Sequence, residues 1–113
     1  MSTAPFTRIY STNEVRATAD ALGSYFFSDA TMACFKSRLS SNIKTTGDLS
    51  GYFVTSEKYD AEPRHYIVRY YNVERSIRES DGRECDSIDI GTVEDLPHFK
   101  TMAQAVSAMN GLS

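Results

Sequence analysis

Two histidines, two cysteines and fifteen carboxylates are the groups through which this 113-residue chain could do chemistry. A nucleophilic site needs Ser or Cys beside a His, with an acid to orient the His. His65, Cys85 and Asp86 supply the residue types. His65, however, opens a predicted strand, and no G-x-S-x-G turn accompanies the set, so it reads as a half-exposed strand histidine. The carboxylates sit in polar, turn-rich segments, where nothing buries them or pairs them closely enough to shift a pKa for acid–base work. Cys34, Cys85, His65 and His98 show no C-x-x-C or H-x-x-x-H spacing, so no metal site is expected. The two cysteines lie 51 residues apart and no signal peptide precedes them, so they read as reduced thiols. The six glycines are scattered as turn residues and form no phosphate-cradling loop. The chain is therefore expected to be a binding protein, without catalytic residues or cofactor.

Charge says more than reactivity. The net charge of -3 is uneven. Residues 1–56 carry five basic and four acidic side chains, whereas residues 57–95 carry eleven acids against six bases. An acidic rim steers a basic partner and speeds encounter, and tyrosines supply the apolar anchors that charge cannot. The expected contacts are Tyr59, Asp60, Glu62, Tyr70, Tyr71, Glu79, Asp81, Glu84, Asp86 and Asp89. They point to a protein or ribonucleoprotein with a basic surface. A second reading uses Tyr66, Arg69, Tyr70 and Tyr71 as a strand face that stacks single-stranded nucleic acid. The surrounding negative charge opposes it, because counterion release needs a basic track.

Positioning these groups requires an α+β domain: two N-terminal helices, an antiparallel sheet of three or four strands, and a C-terminal helix. The length fits one domain over residues 1–113. No apolar run reaches ten residues, so neither a membrane-spanning helix nor a signal sequence is expected. Residues 1–10 form a polar arm. Ser11 and Glu14 read as a capping box, Val15, Ala19 and Leu22 as one helical face, and Gly23 as the stop. A second helix is predicted over 28–39, with Met32, Phe35 and Leu39 inward and Ser40–Asn42 ending it.

From residue 43 the period falls to two. Residues 51–56 and 65–71 read as strands, the second continuing over 73–79 past a bulge. Asp81-Gly82 marks a hairpin whose returning strand carries Ile88 and Ile90. Thr101 and Gln104 cap a last helix that Gly111 stops. The helices are expected on one face of the sheet. The expected core is Val15, Leu22, Phe26, Met32, Phe35, Leu39, Phe53, Val68, Ile88, Ile90, Val106 and Met109.

Two stretches carry a resemblance. Tyr25-Phe26-Phe27, followed by Thr31-Met32, Phe35 and Ser37-Arg38, gives FF…TM..F.SR. Tyr52-Phe53-Val54-Thr55-Ser56-Glu57, followed by Pro63-Arg64, Tyr66 and Val68-Arg69, gives YFVTSE…PR.Y.VR. Over about residues 14–72 the chain resembles a group of small proteins encoded by phages and prophages. The resemblance implies a phage-type protein acting in the cytoplasm of an infected bacterial host. By analogy with small acidic phage proteins, of which anti-CRISPR inhibitors are one class, it implies a blocker of a host defence complex. It brings no catalytic residues with it.

Overall fold

In a computed structural model that describes residues 6–35, 39–58, 61–77 and 79–112, with backbone alone at 84 and 85, seven elements follow one another. They are α1 (Thr12–Ala21), α2 (Asp29–Cys34), β1 (Leu39–Gly47), β2 (Ser50–Glu57), β3 (His65–Ile77), β4 (Glu84–Thr92) and α3 (Met102–Asn110). The strands form one antiparallel sheet in the order β1-β2-β3-β4. The architecture is the expected α+β one, with four strands.

Local signals set the helix ends. The Ser11 hydroxyl accepts the Glu14 N–H at 3.2 Å, and the Glu14 carboxylate reaches back to the Tyr10 N–H at 3.2 Å. Gly23, at φ +79°, lets the Ser24 N–H turn back to the Ala19 carbonyl at 2.9 Å and closes α1. Thr101 caps α3 by accepting the Gln104 N–H at 3.2 Å. At the other end of α3 the Lys44 ammonium donates to the carbonyls of Asn110 and Leu112, tying the helix C-terminus to β1.

α2 is shorter than the predicted 28–39. Its last carbonyls are taken from outside the helix: Cys34 O accepts the Lys58 N–H at 2.8 Å, and Phe35 O accepts from the Arg64 guanidinium at 3.2 Å. Leu39 pairs with Thr55 instead, so Leu39 to Asn42 belong to β1 and do not stop a helix.

The sheet is covered on both faces, not one. β2 and β3 carry apolar residues at both parities, so two covers are needed to bury them. Phe53, Tyr71 and Val73 pack with Val15, Ala19 and Phe27 of the N-terminal half. Val54 and Val68 face the other way and pack with Ala105 and Met109 of α3. Each fully buried Val, Phe or Met among these contributes about 1.5–3 kcal/mol. Of the expected core, Val15, Phe35, Phe53, Val68 and Met109 are buried outright. Leu22, Phe26, Met32, Leu39, Ile88, Ile90 and Val106 are partly buried against the two clusters.

β3 runs thirteen residues with unbroken register to both neighbours, without the bulge expected after Asn72. The irregularities fall in β1 instead, between Leu39 and Ile43 and between Thr45 and Gly47. β2 ends opposite Asn72, and the Val73 N–H still donates to Leu49 O at 2.8 Å; beyond Val73, β3 and β4 pair only with each other among the described residues. The result is a two-stranded ribbon in which residues 74–77 pair with residues 84–87, with Gly82 at φ +68° in its turn. It lengthens the molecule to principal extents of 49 × 31 × 21 Å. Among the described residues, no helix is long and apolar enough to cross a membrane.

Candidate functional site

The expected acidic contacts do not form one face. Tyr59 and Asp60 lie outside the described residues. Glu79 and Asp81 are exposed at the ribbon tip, where the Asp81 carboxylate accepts the Arg83 N–H at 3.1 Å. Glu84 is in the ribbon as well, its backbone opposite Ile77. Glu62 is exposed near the far end of β3, with Oε2 3.4 Å from His65 Nε2. Asp89 is exposed on the sheet face that α3 partly covers.

Two residues need correction. Asp86 is an inward residue: its side chain is 1% exposed, and Oδ2 lies 3.7 Å from Arg75 Nε. Arg75 also donates to Phe6 O at 2.9 Å, so this pair fixes the ribbon base to the N-terminal segment. Tyr71 is a core residue, 1% exposed beside Phe53. An odd-numbered residue of β3 faces the α1 and α2 layer, which leaves Tyr71 no route to solvent.

The second aromatic set is not assembled either. Tyr66 packs into the α3 cluster and exchanges both backbone hydrogen bonds with Phe99. Arg69 lies on the opposite face, where it bonds Glu57 at 2.5 Å, Thr55 at 3.1 Å and Thr92 at 2.8 Å beneath the Phe26 ring. The side chains of Arg69 and Glu57 are only 14% and 13% exposed. Tyr66 and Tyr70 are both half-buried on the α3 side, but Tyr66 packs against the α3 cluster, whereas Tyr70 lines the open part of that face. His65 and Asp86 are likewise apart. Asp86 pairs with Arg75, ten residues along β3 from His65, or about 33 Å.

The structure instead brings together a hollow that sequence reasoning missed. α3 covers only part of its face of the sheet. Beside it lies a depression of about 560 Å³, lined by Tyr52, Tyr70, Asn72, Thr46, Glu94 and Asp95 among others. Tyr52 and Tyr70 are direct cross-strand partners. Gly91 stands opposite Tyr70 on β4, and the Tyr70 ring lies over it, with Oη 2.6 Å from where a Cβ would sit. Tyr70 Oη donates to Asp89 at 3.3 Å. The negative charge of Asp89 raises the Tyr70 pKa above its ordinary value, helped by burial and by Glu94. Gly91 is a sequence signal for the close approach of the Tyr70 ring alone, because a glycine inside a strand marks such an approach; it does not mark the hollow.

A family model matches residues 11–110, from the α1 cap to the last residue of α3. The chain belongs to the DUF7447 family. DUF7447 is described as a family of unknown function. No curated protein and no solved structure matches the chain.

Proposed function

We propose that this DUF7447 member is a phage-type protein that blocks a host nucleic-acid-handling defence complex, in the manner of anti-CRISPR inhibitors. It binds a basic surface that would otherwise hold phosphates, and it works by occupancy rather than by catalysis. The observation that supports this most is the ribbon formed by residues 74–77 and 84–87 with its turn. It projects past the sheet, is held at its base by Arg75 and Asp86, and presents Glu74, Glu79 and Asp81 to solvent. Carboxylates on a preorganised ribbon enter a Lys/Arg channel with little ordering cost. Exposed Ile77, at 69%, adds an apolar contact beside them.

The test is phage plaquing on bacteria that express the chain together with one of a panel of CRISPR–Cas systems. At least one system loses protection. Glu79→Lys combined with Asp81→Lys restores that protection by tenfold or more while leaving the circular dichroism spectrum unchanged. Asp86 is left alone because its reversal would break the ribbon base. Equal inhibition by parent and double variant, at low and at physiological salt, removes the acidic-ribbon mechanism. Steeply salt-dependent binding of the purified chain to a random single-stranded oligonucleotide would favour direct nucleic-acid binding instead.

A further inference from the structure

We infer that the hollow beside α3, between Tyr52, Tyr70 and the Glu94–Asp95 turn, is a seat for one arginine side chain of the partner. This inference rests on the proposal of a basic protein partner and names the group recognised.

Size is the first argument. A depression of about 560 Å³ is within the range of small-ligand sites, far larger than a packing defect, and open to solvent. Chemistry is the second. Arginine carries donors and no acceptor, so its seat must offer acceptors. The lining does so through the Glu94 and Asp95 carboxylates, Asn72 and the Thr46 hydroxyl. Among the described residues no Lys, Arg or His lines the hollow, and Asp89, Glu94 and Asp95 form no ion pair. Their negative charge is therefore uncompensated at this spot, and the charges of Asp89 and Glu94, together with burial, oppose ionisation of the Tyr70 phenol.

The third argument is the aromatic pair. Tyr52 and Tyr70 are opposite each other in register, yet Tyr70 lies over Gly91, away from its cross-strand partner. A planar guanidinium stacks on tyrosine faces while its edges meet carboxylates, and it is more weakly hydrated than an ammonium. A nucleotide would meet the same rings, but its phosphate would face the carboxylates.

The test is an NMR titration of the full-length ¹⁵N-labelled protein with acetyl-Gly-Arg-Gly-amide and with its citrulline counterpart, which keeps the shape and removes the charge. The arginine peptide is expected to saturate with a dissociation constant of about 1 mM, as befits one side chain. Its shifts should be confined to Tyr52, Tyr70, Asn72, Gly91 and residues 93–95. Citrulline should bind at least tenfold more weakly. Glu94→Gln combined with Asp95→Asn, both at exposed positions, should weaken the arginine peptide by about three- to tenfold. Equal affinity for the two peptides, shifts centred elsewhere, or no saturable shift at 50 mM would each overturn the inference. The titration involves no host partner, so its failure leaves the ribbon mechanism standing. Conversely, an arginine seat retained while Glu79→Lys/Asp81→Lys has no effect removes the ribbon mechanism alone.

Discussion

Replacing Tyr71 by Phe should stabilise the protein, although most substitutions in a packed core do the reverse. The Tyr71 ring is fully buried, and its hydroxyl has no hydrogen-bond partner among the described residues. It sits beneath Gly51, 2.8 Å from where a Cβ on that glycine would be. A buried polar group without a partner costs about 1–3 kcal/mol, because its bonds to water are given up and not replaced. Deleting one oxygen forfeits about 0.5 kcal/mol of dispersion contacts. The net gain for Tyr71→Phe is then about 1 kcal/mol at pH 7, or about 4–6 °C in Tm. Urea unfolding read by far-UV circular dichroism measures it.

Alkaline pH sharpens the same test. Burial, with the charge of Glu14 second, pushes the Tyr71 phenol up to about 12, whereas an unfolded tyrosine titrates near 10. Because the folded pKa is the higher, the contribution of Tyr71 is complete below pH 10. It is lost as pH rises from 10 to 12, where the unfolded chain alone sheds its proton. The advantage of the Phe variant should therefore widen by about 1.4 kcal/mol between pH 9 and pH 11. A variant less stable than the parent at pH 7, or a gap that stays constant to pH 11, would refute the reasoning.

Arg69→Ala should cost about 3 kcal/mol in urea unfolding, because it removes three hydrogen bonds and the buried partner of Glu57. Arg69→Lys should recover less than half of that, since the fork that reaches Thr55, Thr92 and Glu57 together is lost. Gly51→Ala should destabilise by about 2 kcal/mol, since the new methyl would sit against the Lys44 backbone carbonyl and the Tyr71 hydroxyl; a thermal melt checks it. Asp89→Asn should lower the Tyr70 pKa toward its ordinary value by removing the nearest negative charge, read by ultraviolet titration of the phenolate.

Elements with a local cause were legible in the sequence. Ser11 with Glu14, Gly23, Asp81-Gly82 and Thr101 with Gln104 each mark a boundary through bonds made within a few residues, and each lies where it was read. Strict alternation along β3 sets Tyr66, Val68 and Tyr70 on one side and Ile67, Arg69 and Tyr71 on the other, as the structure has them, so Tyr66, Arg69, Tyr70 and Tyr71 cannot share one face. What alternation could not tell was which side is wet. Tyr71 and Arg69 have side chains that suit a surface as well as a core, and only the docking of α1 and α2 on their face decides. The end of α2 was misplaced for a similar reason, because its last carbonyls are satisfied by Lys58 and Arg64, more than twenty residues on. The hollow was not legible because its walls come from the β1–β2 hairpin, β3 and the turn after β4.

The ribbon's independence of the rest of the sheet bears on how such proteins diversify. Beyond the Arg75–Asp86 pair the strands are laddered only to each other and the described side chains are exposed, so residues near the tip can change without disturbing either buried layer. Its length is less free. Adding or removing one residue in each strand between the Arg75–Asp86 pair and the body would turn both of those side chains to the opposite face and unfasten the base. Two residues per strand would preserve every facing. Insertions and deletions tolerated in this part of the ribbon should thus come in steps of two per strand, lengthening or shortening the reach by about 6.6 Å each time. The ribbon then acts as an adjustable spacer, able to meet pockets of different depth without redesign of the body that carries it.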